Sequence, residues 1–156
     1  QHVNNTDNHW ELYSSSIVSS PDLILYTDNG TRGRFDEVSG NYTATSDARL
    51  KTNISTFTGA LAGVMQLQAK RYNYKQNLTK IYHGFLAQEL QTIFPEVVTE
   101  VEGRAGEEST LMVDYSQLTV VAITAVQEQQ ETISAQDKKI KELEARLARI
   151  EALLDK

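Results

Sequence analysis

The sequence predicts an α+β protein: a small mixed domain of short β-strands and helices, then a long C-terminal helix forming a parallel trimeric coiled coil. Three observations predict it. Up to about Thr45, short apolar runs alternate with turn residues. From Ser46 to about Tyr115, strand-like and helix-like patterns take turns. From Asp114 to Lys156 there is neither Gly nor Pro, and from Val126 onward an apolar residue returns at every seventh position.

The elements follow in order. Leu23–Tyr26 is a short apolar run that reads as a strand, and Asp28-Asn29-Gly30 is a turn, since Asn and Gly tolerate positive φ. Residues 34–38 and 41–44 read as further strands. Apolar positions are sparse here, so this segment is expected to need preceding chain or neighbouring subunits to complete a core. Residues 58–68 carry Leu61, Val64, Met65 and Gln68 at helical spacing, with Thr58 as a candidate N-cap. Residues 71–74 alternate like a strand. Residues 84–94 read as a helix with Phe85, Leu86, Leu90, Ile93 and Phe94 on one face, stopped by Pro95. Residues 97–101 and 110–113 read as a strand pair around a Gly-containing loop. Asp114 or Ser116 can cap the final helix, whose roughly 40 residues would span about 60 Å at 1.5 Å per residue.

Taking Val126 as heptad position a, Ile133, Ile140, Leu147 and Leu154 also fall at a. Position d holds Gln129, Gln136, Leu143 and Ile150. β-Branched residues at a and two Gln layers at d favour a trimer over a dimer. Position g carries Lys139 and Arg146; position e carries Glu144 and Glu151. A parallel assembly pairs Lys139 with Glu144 and Arg146 with Glu151, whereas an antiparallel one sets like charges together. Each pair contributes only a few tenths of a kcal/mol, but the sign selects orientation. The competing reading, a lone solvated helix, leaves the a and d stripe with nothing to bury it.

Composition excludes several classes. The chain has 156 residues, 40% hydrophobic and 23% charged, which fits a folded domain rather than a disordered one. A net charge of -6 argues against nucleic acid as a partner, since phosphate binding needs clustered Lys and Arg. No apolar run approaches the roughly 18 residues of a membrane span, so no membrane partner is expected. Cysteine is absent, which removes disulfide and thiolate chemistry. His2, His9 and His83 are too scattered for a structural metal site, and neither metal nor cofactor is expected. Asn-x-Ser/Thr triplets at Asn4, Asn29, Asn41, Asn53 and Asn77 read as chance occurrences in a Thr-rich chain. The first residues lack the basic and apolar regions of a signal peptide. With no initiator Met, the chain is expected to be a fragment of something longer.

The hexapeptide Ser46-Asp47-Ala48-Arg49-Leu50-Lys51 carries the chemistry. It offers a hydroxyl nucleophile and an amine that could activate it. Five residues do not place two side chains on one helix face, so a turn after Ser46 is required. Alone, such a pair says little. Its context is more specific: Gly84-Phe85-Leu86-Ala87-Gln88-Glu89, then Phe94-Pro95-Glu96-Val97-Val98, then Asp114-Tyr115-Ser116, then the heptads. Five elements in this order resemble the C-terminal intramolecular chaperone domains of phage tailspikes, tail fibres and endosialidases, a Ser-Lys self-cleaving peptidase family also found in a membrane-bound myelin transcription regulator. The likeness covers about residues 42–156.

The resemblance implies a homotrimer that registers three β-rich chains and then releases itself by cutting the Thr45-Ser46 bond. It implies a virion fibre or spike precursor made in the host cytoplasm. The expected domains are 1–45, the end of the β-rich parent and the folding client; 46–115, the chaperone core; and 116–156, the trimerisation helix. Ser46 would attack the Thr45 carbonyl, directly or by acyl shift. Lys51 would be its base, if burial or a nearby cation keeps the amine neutral. Backbone N–H groups of the turn are the default oxyanion donors. His83 is a second catalytic candidate through positioning or proton transfer, against the plainer reading that it packs or caps the following helix. Asp47 is expected to bond the turn, Arg49 to form an ion pair, and Glu89 to orient Lys51 or Arg49. Two other functions compete: a structural trimerisation cap that never cuts, and a receptor-binding tip using aromatics such as Trp10 and Tyr13.

Overall fold

The computed structural model describes residues 10–14, 22–103 and 106–154. The architecture is α+β, with small antiparallel sheets and one long C-terminal helix. The chain divides into two compact units, Gln1–Ser55 and Thr56–Lys156.

The first unit is a four-stranded antiparallel meander, β1 (Trp10–Ser14), β2 (Leu23–Thr27), β3 (Gly30–Phe35) and β4 (Tyr42–Ala44). The turn at Asp28-Asn29 forms as the sequence predicts, with Gly30 at φ 99°, a left-handed value that glycine adopts without strain. The predicted strand over 34–38 stops at Phe35 instead. The Asp36 carboxylate accepts from Ser39 N (2.8 Å) and Ser39 Oγ (2.7 Å), which bends residues 37–39 into a turn. Cross-strand register puts Trp10, Leu12, Leu23, Leu25, Phe35 and Tyr42 on one face. Most of that face is open: Trp10 is 64% exposed and Leu12 60%. The buried side chains among the unit's described residues are polar, Asp22 and Thr27. Asp22 accepts from Arg34 and from Glu37 N. The strand segment thus buries no apolar core among its described residues, as its sparse pattern predicts.

The second unit holds the apolar core. Its elements are α1 (Ala60–Val64), β5 (Lys70–Tyr74), β6 (Asn77–Gly84), α2 (Ala87–Ile93), β7 (Val98–Val101), β8 (Thr110–Val113) and α3 (Tyr115–Leu154). β5 pairs with β6 and β7 with β8, each as an antiparallel ribbon. Ala60, Leu90, Phe94, Val97, Val121 and Ala125 form the buried cluster, with Leu61, Ile93, Val113 and Leu118 packed on it. Fully burying a Leu or Val side chain contributes about 1.5–3 kcal/mol, so Leu90 and Val97, both fully buried, anchor α2 and the 3-10 turn at 95–97.

Two helices are shorter than predicted. The helix expected over 58–68 spans only Ala60–Val64, and Gly59 is its N-cap rather than Thr58. Met65 is 77% exposed, and Gln68 lies outside the helix. The helix expected over 84–94 runs from Ala87 to Ile93, because Gly84 closes strand β6. The Asp114 cap forms: its Oδ1 accepts from Ser116 N (2.9 Å) and Gln117 N (3.2 Å). α3 has 40 residues, so it extends about 60 Å. Its first turns pack on the core through Leu118, Val121 and Ala125. From Val126 onward the stripe lies open: Val126 is 64% exposed, Ile133 42% and Leu154 80%.

Candidate functional site

Ser46 and Lys51 meet through the turn that the sequence required. β4 delivers the chain to Thr45, whose N–H donates to Arg32 O (2.9 Å) and whose Oγ1 donates to Thr31 O (2.9 Å). These bonds fix the residue before Ser46 against β3. Asp47 then caps a single 3-10 turn, Ala48–Leu50, by accepting from Arg49 N at 2.8 Å. The Lys51 N–H closes it on Ala48 O at 3.0 Å, and Lys51 returns to extended backbone (φ -118°, ψ 149°). The reversal lets Lys51 Nζ donate to Ser46 Oγ at 2.7 Å. Both side chains are exposed in the single chain.

Asp47 and Arg49 serve each other. Arg49 Nε lies 3.0 and 3.1 Å from the two Asp47 oxygens, and Nη2 lies 2.6 Å from Oδ2. The Arg49 side chain and then its backbone N–H hold the Asp47 carboxyl below its usual range. The same carboxylate raises the Arg49 guanidinium. Arg49 is therefore ion-paired in place by the residue that builds the turn. Thr45, Asp47, Arg49 and Leu50 line one open depression with the tip of the β2–β3 hairpin, Asn29 to Thr31.

Two further candidates sit in the second unit. His83 is exposed on β6, opposite Arg71 in register. Glu89, in the first turn of α2, pairs with Lys70 Nζ at 3.1 Å, which ties α2 to β5. Sequence reasoning missed the residue that explains the Gly84-Phe85 pair. Tyr115 Oη accepts from Phe85 N at 3.2 Å. A Cβ on Gly84 would lie 2.6 Å from that hydroxyl and 3.4 Å from Tyr72 Oη, so the phenols occupy the space a side chain would need. The Asp-Tyr-Ser segment and the Gly-Phe box are two halves of one contact.

Residues 46–99 match a peptidase family model described as chaperone of endosialidase. Over that stretch the chain is similar to the chaperone-of-endosialidase family. The match opens at Ser46 itself, so the family segment starts with the hydroxyl that Lys51 contacts. It takes in the 3-10 turn, the Gly-Phe box, α2 and the first residues of β7. A search of curated proteins found no match. Among the described residues no cluster of His, Asp and Glu could hold a metal ion, and no helix is long and apolar enough to cross a membrane.

Proposed function

We propose that this chain is an intramolecular chaperone that trimerises a β-rich fibre or spike protein and then cuts the Thr45-Ser46 bond. The observation that carries this reading is the Lys51 Nζ to Ser46 Oγ hydrogen bond at the first residue of the family segment. On this reading residues 1–45 are the client's end, 46–115 the chaperone core and 116–156 the trimerisation helix.

The chemistry follows from the groups present. A serine hydroxyl needs a base at neutral pH. A lysine amine serves only when unprotonated, which takes desolvation or a neighbouring cation. Arg49 is engaged by Asp47, so desolvation is the remaining route, and assembly supplies it by covering an exposed pair. Neutral Nζ takes the hydroxyl proton as Ser46 Oγ attacks the Thr45 carbonyl carbon. The C–O bond forms, the C–N bond to Ser46 breaks, and Lys51 returns the proton to the leaving nitrogen. Water then cleaves the ester, leaving a Thr45 carboxylate and a free Ser46 hydroxyl and amine. Direct attack of water uses the same base and forms no ester. The bonds from Thr45 to β3 keep the scissile carbonyl in one place during attack. His83 is given no step.

Trimerisation rests on the open stripe of α3. Seven side chains (Val126, Ile133, Ile140, Leu143, Leu147, Ile150 and Leu154) are between 42% and 80% exposed. Covering the open part of each contributes roughly 1 kcal/mol, half the usual full-burial value. That sum far exceeds the few tenths from each g-to-e charge pair. Burial drives assembly and charge sets direction. The uncovered apolar face of the strand unit gives the three chains a second surface to share. Release of the folding aid would leave the mature trimer kinetically hard to unfold.

The test is intact mass after purification. Cutting at Thr45-Ser46 gives fragments of 45 and 111 residues, and Ser46→Ala keeps the chain whole. A wild-type chain that stays intact as a trimer would instead make it a non-cleaving trimerisation cap.

A further inference from the structure

Glu128 makes the longest-range set of side-chain hydrogen bonds among the described residues. Its Oε1 accepts from Gly59 N at 2.5 Å and Ala60 N at 3.3 Å, and its Oε2 accepts from Leu61 N at 2.8 Å. Gly59 stands at φ 81° and has no side chain to cap α1, so a carboxylate 69 residues away fills that role. The placement on α3 is specific. Leu118, Val121 and Ala125 face the core at spacings of three and four, and Glu128 continues that row three residues on. At about 100° per residue, Glu128 lies about 200° round the helix from Val126, the first residue of the open stripe. The carboxylate therefore stays on its intramolecular partner while the stripe binds other chains.

Gly59 follows Lys51 by eight residues, a reach of at most about 29 Å even if fully extended. We propose that Glu128 is a positioning residue for self-cleavage: it pins the chain just downstream of the Ser46-Asp47-Ala48-Arg49-Leu50-Lys51 box to the helix that assembles the trimer. Ordering of the helix by its neighbours then shortens the free tether of the box to residues 52–58. A helix not so pinned would leave the box free to assemble and react independently of the coiled coil. This inference rests on the self-cleavage reading above.

The experiment compares wild type, Glu128→Gln, Glu128→Ala and Glu128→Asp by cleavage rate and by sedimentation. Each is also made in the Ser46→Ala background for hydrogen exchange. Glu128→Gln keeps the shape but loses the charge and one acceptor oxygen. The expected result is a trimer that cuts at least ten-fold more slowly, with faster amide exchange at 59–61 and through 46–58. Glu128→Ala is expected to be slower still, and Glu128→Asp to recover part of the rate. Wild-type cleavage with unchanged Glu128→Gln and Glu128→Ala rates would overturn the inference and leave self-cleavage standing. So would slow cleavage accompanied by faster exchange throughout α2, β7 and β8, which marks general loosening rather than positioning. No cleavage in the wild type would overturn self-cleavage itself, while the exchange comparison in the Ser46→Ala chains would still read the pinning.

Discussion

Gly63→Ala tests whether the second unit is packed as described. In an ordinary helix this change stabilises, because Ala is favoured over Gly by about 0.8–1 kcal/mol. Here the sign should reverse. A Cβ on Gly63 would press into Phe94 Cζ and lie 2.9 and 3.0 Å from Cε1 and Cε2. The Phe94 ring is 5% exposed and clusters with Ala60, Leu90 and Val97, so it has little room to swing aside. Overpacking of this kind costs about 1–3 kcal/mol, and contact this close puts the cost near the upper end. The net is a loss of about 1–2 kcal/mol. Urea unfolding followed by helical circular dichroism measures it, in the Ser46→Ala background so that chains stay whole. Protein concentration is held fixed, because assembly of the kind proposed would make stability depend on it. Phe94→Leu added to Gly63→Ala should recover part of the loss in a double-mutant cycle. A Gly63→Ala chain as stable as its parent, or more so, would refute the packing of α1 on Phe94.

Lys51→Met should slow cutting by about 10²–10⁴, the usual contribution of a positioned base. It should leave stability within about 0.5 kcal/mol, as expected of an exposed side chain, and band conversion on a denaturing gel with parallel melts checks both. Lys51→Arg should be equally slow, since a guanidinium stays protonated. Acid should loosen the second unit. Asp114 is held below its ordinary 3.8 by Gln117 and Ser116, and Glu128 below its ordinary 4.5 by the N–H groups of Leu61, Gly59 and Ala60. Both pKa values are lower in the folded state, so their contribution is present above the ordinary values and is lost as pH falls through the folded ones. Helicity in the Ser46→Ala background should fall below about pH 4 more steeply than in the same chain carrying Asp114→Asn and Glu128→Gln.

The sequence made local features legible and left the long-range ones hidden. The turn at Asp28-Asn29, the Asp114 cap and the 40-residue helix each declare themselves within a few residues, through positive-φ tolerance, a capping carboxylate and an unbroken heptad. The box was legible as a candidate, and its five-residue spacing by itself demands a turn. Strand β6 has no clear signature in the sequence. Residues 77–84 mix polar and apolar types because all but Tyr82 and Gly84 are exposed in the single chain. Helix α1 is shorter than its pattern suggests, since Leu61, Val64, Met65 and Gln68 keep helical spacing although the helix ends at Val64. Nothing near Gly59 signals that its cap is Glu128, and nothing near Gly84 signals Tyr115. Those pairings depend on the fold and cannot be found by period or propensity.

The most direct measurement couples assembly to cutting. Wild type and an Ile140→Asn, Leu147→Asn chain would be sedimented and weighed by intact mass over a time course. Wild type should run as a trimer and yield 45- and 111-residue fragments; the seam variant should run as a monomer and stay whole. A monomeric seam variant that cuts between Thr45 and Ser46 as fast as wild type would contradict assembly-dependent cleavage outright.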